Sequence, residues 1–221
     1  MSVALVTGAA RANSIAAGIV PRLAADGWDV VTSDLDVGDY PCDLATTDGP
    51  AELVRTVARE RGEIGALVLS HAYDVESGIV DTTVESFDRH VAVNARASLL
   101  LIAAFARLAP ASGGAIVAFT SDHTTGNLPY GASKGALDRI VISAAVELGP
   151  RGISANVVNP GPIDTGWMDA SLRTMLAARH PLGRLGTPRD IAALVSFLVS
   201  DEGRWVSGQL LNADGGFSAR F

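Results

Sequence analysis

Six short runs of aliphatic and β-branched residues punctuate the chain: Val3 to Thr7, Asp29 to Ser33, Ala66 to Ser70, Ala115 to Thr120, Ser154 to Asn159 and Leu210 to Ala213. They lack the strict apolar/polar alternation of a half-exposed strand, so they read as strands covered on both faces of a parallel sheet. Between them the periodicity predicts helices at about Ile15 to Asp26, Pro50 to Arg61, Val84 to Leu108, Tyr130 to Leu148 and Pro188 to Leu198. This alternation admits few folds. With right-handed crossovers it gives an open, doubly wound α/β sheet whose ligand crevice lies at the carboxyl ends of the strands.

A length of 221 residues suits one domain, 1–221, and a 48% hydrophobic content is enough to build its core. The formal net charge is −7 and no Lys/Arg cluster interrupts the acidity. Neither nucleic acid nor an anionic membrane is therefore an expected partner. The lone Cys42 cannot form an internal disulfide and the start lacks the pattern of a signal peptide, so a cytoplasmic setting is expected. The most apolar stretch, Ala97 to Ala106, follows Asn94 and Arg96 and falls short of the ~20 residues a bilayer needs. It reads as a buried helix. The last helix is well marked, with Thr187 as N-cap, Pro188 at the first position and Asp190 in the first turn. Asn159 to Arg184 is the one long stretch without clear periodicity, and such stretches are usually lids or binding loops.

Chemistry concentrates at strand ends. After the first strand comes Thr7-Gly8-Ala9-Ala10-Arg11-Ala12-Asn13-Ser14-Ile15, a small-residue turn opening a helix, where backbone N–H groups can receive a pyrophosphate. The G-x-G-x-x-G fingerprint is absent, and an ordinary tight turn is the alternative. Asp34 follows the second strand 26 positions after Gly8, consistent with the ~20-residue spacing at which a carboxylate meets a ribose 2′-hydroxyl. That favours NAD(H), while Arg11 leaves NADP(H) open. On the helix from Tyr130, Lys134 follows one turn later, so phenol and ammonium share a face and the cation should lower the phenol's pKa. Ser121, at the end of the fourth strand, can bond a substrate oxygen. Asn94 is the odd residue of an otherwise apolar helix; a buried amide there needs partners, and a satisfied core asparagine is the alternative to a site residue. His71, His90, His123 and His180 have neither ligand spacing nor a cysteine partner, so no metal is expected.

Together these residues resemble the short-chain dehydrogenase/reductase family over essentially the whole chain. The resemblance rests on Thr7-Gly8, Cys42-Asp43-Leu44, Asn94, Ser121, Tyr130-x-x-x-Lys134, Asn159-Pro160-Gly161-Pro162-Ile163-Asp164-Thr165, Arg184-Leu185-Gly186-Thr187-Pro188, Gly208-Gln209 and Asp214-Gly215-Gly216. It implies a Rossmann-like, three-layer α/β/α fold, a nicotinamide cofactor and reversible hydride transfer between alcohol and carbonyl. Tyr130 is then the acid/base, Lys134 its partner and a ribose ligand, Ser121 the residue orienting substrate, and Asn94 the holder of a relay water. Gly8, Arg11, Ser14, Ile15, Asp34, Cys42, Asp43, Leu44, His71, Ala72, Pro160, Gly161, Ile163 and Thr165 would line the cofactor, with Asp43 at the adenine. A homotetramer or homodimer is also implied, through the helices carrying Asn94 and Tyr130.

The chain departs from the family in four places. Its first turn, with Ser14-Ile15-Ala16, looks like that of the enoyl-reductase branch, whose longer Tyr-to-Lys spacing this chain lacks. Ser70-His71-Ala72-Tyr73 replaces the usual Asn-Asn-Ala-Gly. Eight residues separate Asp34 from Asp43, too few for a helix of ordinary length, and Ser121 and Tyr130 are only nine positions apart. The shortened loop, with Tyr73, His123, Trp167 and Met168, should line a pocket for a small or medium carbonyl compound. A 3-ketoacyl reductase-like activity is the most concrete form of this expectation. The alternatives are a non-redox, dehalogenase-like relative and a catalytically silent nucleotide-binding regulator.

Overall fold

The computed structural model describes residues 2–123, 125–166 and 168–219. All six expected strands form: β1 (Val3–Thr7), β2 (Asp29–Ser33), β3 (Ile64–Leu69), β4 (Gly114–Phe119), β5 (Ile153–Asn159) and β6 (Leu210–Asn212). They pair in parallel in the order β2-β1-β3-β4-β5-β6. Strand order reverses between β1 and β3, and there the connections leave in opposite directions and open a crevice.

Alternation along the strands divides the core in two. Leu5, Val31, Leu67, Leu69 and Ile116 face helices α2 (Gly49–Arg61), α4 (Ala97–Leu108) and α5 (Leu128–Leu148). The smaller Ala4, Val6, Ala66, Val68, Ala115 and Val117 face α1 (Ile15–Ala25) and α7 (Pro188–Val199). Small residues on the second face let helices come close: a Cβ on Gly18 of α1 would lie 2.5 Å from the Pro188 carbonyl oxygen. Burying each large aliphatic side chain contributes roughly 1.5–3 kcal/mol, so the near-complete burial of β1, β3, β4 and β5 makes this sheet the rigid frame of the site.

Three details refine the sequence reading. The expected helix from Val84 to Leu108 is helical throughout, as α3 (Val84–His90), a π-helical segment (Val91–Arg96) and α4. By length and hydropathy alone it could cross a membrane, yet 56% of its most apolar window is buried within the fold. Between Asp34 and Asp43 no helix forms. Instead the chain doubles back along β2, with Ser33 bridging Gly38 antiparallel, the Tyr40 N–H on the Thr32 carbonyl, and the Asp39 carboxylate accepting from the Thr32 N–H and hydroxyl. Finally, the aperiodic Asn159 to Arg184 stretch contains a helix, α6 (Ala170–Arg179), capped by Asp169, whose carboxylate accepts the Leu172 N–H. It has no buried residue, hence no apolar stripe for periodicity to detect.

Candidate active site

Gly8 ends β1 at the point of strand reversal, with φ +75°. A Cβ there would lie 2.5 Å from the backbone of Ser70 and His71, so only glycine lets the first turn cross the end of β3. The turn is exposed from Ala10 to Asn13 and ends at Ser14, whose hydroxyl oxygen caps α1 by accepting the Ala17 N–H at 3.2 Å. Asp34 reaches across from β2, accepting from the Ala10 N–H at 2.8 Å and the Leu35 N–H at 2.7 Å. Arg11 is exposed beside it, and Ile15 is half-buried against the α1/α7 core. On the opposite side, Pro160 is buried and Gly161 takes φ +61° where a Cβ would lie 2.5 Å from Asp214. Ile163 is buried, and its segment is pinned by the Asp164 N–H on the Gly186 carbonyl. A Cβ on Gly166, after Thr165, would lie 3.1 Å from the Asn13 side chain, so this segment meets the first turn.

These residues fit a nicotinamide dinucleotide: glycine at the crossing, an exposed turn leading into a helix N-terminus, and a carboxylate fixed at the end of β2. Cys42, Asp43 and Leu44 divide. Leu44 belongs to the core, and Cys42 is half-buried with its thiol pKa raised by that burial. The Asp43 carboxylate accepts the Ala45 N–H at 2.9 Å and pairs with Arg89 at 3.7 Å. Ala72 is exposed.

His71 is a buried strut. Nε2 faces the Val93 carbonyl at 3.1 Å, which can only accept, so that nitrogen carries the hydrogen and Nδ1 receives the Thr7 hydroxyl at 2.7 Å. Burial and the charge of Lys134 push its pKa down to about 3, so the ring stays neutral. It ties β1 and the end of β3 to the π-helical segment. Asn94, fully buried in that segment, accepts from the Tyr73 N–H at 2.7 Å and donates to the Tyr73 carbonyl and the Ser133 hydroxyl, both at 2.9 Å. With its side-chain oxygen and both amide hydrogens engaged, Asn94 braces Tyr73 against α5.

Ser133 in turn donates to the Tyr130 carbonyl at 2.7 Å. Lys134 is 2% exposed, and its ammonium donates to the Phe119 carbonyl at 2.8 Å, which anchors it to the end of β4 just before Ser121. Its Nζ lies 5.6 Å from the centre of the Tyr130 ring. Burial brings the Lys134 pKa down to about 8, against the opposing charges of Asp138 and Asp74. For Tyr130 the expected lowering is not found: burial, aided by the charge of Asp74, drives its pKa well above the ordinary phenol value. Desolvation, which depends on the fold around the ring, sets the direction at Tyr130.

The pocket residues also separate. His123 is exposed, with its ring edge-on to Tyr130 at 6.2 Å between centres and Nδ1 3.3 Å from the Ser121 hydroxyl. Tyr73 packs its ring edge-on against His90 at 4.7 Å with Arg89 over it at 5.8 Å, so its ring contacts are with α3. Met168 is buried, and Trp167 lies outside the described residues. Among the described residues no group of acidic, histidine or cysteine side chains could hold a metal ion. Sequence reasoning missed Asp74, whose carboxylate accepts from the Asn127 side chain at 2.7 Å and whose charge acts on both Tyr130 and Lys134. Its only sequence signal is position, directly after Tyr73.

A parallel sheet with a glycine turn and a fixed carboxylate at its point of strand reversal, and a Tyr/Lys pair beyond it, is the frame of a nucleotide-dependent oxidoreductase. A family profile described as enoyl-(acyl carrier protein) reductase matches residues 8–218. The oxidoreductase YjdA of Bacillus subtilis is 33% identical over 241 residues, spanning 97% of this chain and 96% of its own. The chain belongs to the short-chain dehydrogenase/reductase family. Among solved structures, a blue fluorescent protein from a metagenomic library in complex with NADPH is similar at a TM-score of 0.89 and 32% identity, over 99% of this chain and 98% of that one. A short-chain dehydrogenase from Burkholderia cenocepacia in complex with NADP is similar at 0.88 and 31%, over the same shares.

Proposed function

We propose that the protein is a carbonyl reductase that converts a small or medium ketone or aldehyde to the alcohol and prefers NADH. The observation that carries this reading is Tyr130 beside buried Lys134, with Ser121 delivered by the adjoining β4. When bound, the nicotinamide supplies the hydride to the substrate carbon. Ser121 is placed to hold the substrate oxygen, and Tyr130 gives that oxygen its proton. A phenol held in its protonated form by burial and by Asp74 suits the donor role. Lys134 stays anchored to the Phe119 carbonyl and keeps positive charge beside the ring.

The preference for NADH rests on the Asp34 carboxylate, fixed where it would repel a 2′-phosphate. The Tyr130-x-x-x-Lys134 spacing favours carbonyl over enoyl reduction, and a 3-ketoacyl thioester belongs in any substrate panel. A cytoplasmic setting and self-association complete the reading. The latter is supported by Leu99 on α4 and Val146 on α5, which are 48% and 74% exposed. Val141, Ala144 and Ala145 of the same stretch face the core instead.

The test combines thermal shifts with turnover. NADH should raise the melting temperature more than NADPH, and a carbonyl panel should consume NADH in the wild type and not in Tyr130→Phe. A larger shift with NADPH sinks the Asp34 argument, and turnover surviving in Tyr130→Phe sinks the assignment of the proton donor.

A further inference from the structure

The loop between Ser121 and Tyr130 is short, and its shortness brings an imidazole to the reacting groups. A Cβ on Gly131 would lie 2.2 Å from the His123 carbonyl oxygen, so glycine at the second position after the loop lets His123 fold back over the start of α5. There the ring meets Tyr130 edge-on at 6.2 Å. The same residue touches Ser121 twice: its backbone N–H donates to the serine oxygen at 3.3 Å, and Nδ1 lies 3.3 Å from that oxygen.

A serine hydroxyl has one proton and two acceptor positions. The His123 N–H takes one acceptor position. If Nδ1 carries a hydrogen, it takes the other, and the serine proton is left to point at a substrate carbonyl. In the neutral ring that carries its hydrogen on Nε2, Nδ1 is bare, the serine proton turns toward it and the substrate loses its donor. We propose that His123 is a positioning residue which sets the direction of the Ser121 hydroxyl, so that protonating its imidazole switches Ser121 into the donor state that carbonyl reduction needs. This deepens the carbonyl-reductase reading and rests on it.

No covalent bond changes at Ser121 or His123 in this scheme. The hydride goes to the carbonyl carbon, the proton on the product oxygen comes from Tyr130, and the serine proton stays on its oxygen. Of the ionisable groups around the imidazole, Tyr130 on α5 meets the His123 ring, Asp122 precedes it on the loop, and Lys134 and Asp74 act on Tyr130, Asp74 being tied to the same loop through Asn127.

Three variants test the proposal. His123→Asn keeps an amide N–H donor near the Nδ1 position at every pH, His123→Leu removes the contact, and Ser121→Ala removes its target. With NADH and the carbonyl turned over fastest by the wild type, wild-type kcat/KM should fall about tenfold as pH rises through the imidazole titration, the loss of roughly one hydrogen bond. His123→Asn should hold the acid-side value across that range, and His123→Leu should be about tenfold low and flat. Independently of turnover, proton NMR titration of the histidines in the free protein should show one resonance, absent in His123→Asn, whose midpoint falls in Ser121→Ala, since the serine oxygen accepts from the charged ring. A His123→Asn profile that tracks the wild type, or a midpoint indifferent to Ser121→Ala, overturns the inference and leaves the carbonyl-reductase reading standing. Failure of every carbonyl to be reduced removes that reading and this inference with it.

Discussion

Lys134 shows how a single residue trades stability for chemistry. Because burial favours its neutral form, the folded pKa is about 8 against a reference of 10.5. Between those values the unfolded chain holds the extra proton, so stability rises with pH through the window and the full penalty is present below it. At about 1.4 kcal/mol per unit, and allowing about 1 kcal/mol for the lost bond to Phe119, Lys134→Met should stabilise the fold by roughly 2 kcal/mol at pH 7. It should abolish turnover, and the gain should vanish near pH 10.5. Urea unfolding at the two pH values measures this. His71 acts with the same sign in a lower pH window. Its folded pKa of about 3 lies below the reference 6.5, so the unfolded chain takes up a proton first as pH falls through that window and stability is lost. His71→Asn cannot take up that proton. Its unfolding midpoint should decline less steeply between pH 6.5 and 3 than that of the wild type.

At the scale of elements, the crevice depends on close backbone approaches more than on any helix. Gly8 is the sharpest case, because φ +75° and a 2.5 Å approach to Ser70 and His71 both exclude a side chain. Gly8→Ala should cost about 2 kcal/mol or more and weaken dinucleotide binding, read by a lower melting temperature and a smaller thermal shift with NADH. Element types were largely legible in the sequence, since strands buried on both faces and amphipathic helices each leave a period. The start of α7 was legible too, and its capping box forms, with Thr187 and Asp190 each accepting from the other's backbone. What periodicity missed was α6, which buries nothing, and the π-helical turn around Asn94, because a register change of one residue hardly disturbs an apolar pattern.

For the whole molecule, the two short connections noted in the sequence have separate structural outcomes. The segment after β2 becomes a return along the sheet edge, ending near Asp34 with Leu35 and Val37 exposed. The segment after Ser121 becomes the arm that brings His123 to Tyr130. Self-association belongs at this scale. Light scattering at micromolar concentration should find a dimer or tetramer, and Val146→Glu, at a 74% exposed position on α5, should shift it toward monomer while the melting curve keeps its cooperativity. A wild-type monomer would count against the proposed assembly.

Order along the chain determined much by itself. Apolar runs named the strands, strand ends named Gly8, Asp34, Ser121 and the Tyr130/Lys134 pair, and the motif series named the family, because these signals are local and repeat at fixed spacings. The tertiary structure decided how those residues behave. Asn94 became a brace, His71 a neutral strut, Tyr130 a high-pKa phenol under Asp74, and His123 a neighbour of Ser121 and Tyr130. The physical reason is that hydrogen-bond partners, desolvation and charge proximity depend on which distant segments meet, and no local period encodes that meeting.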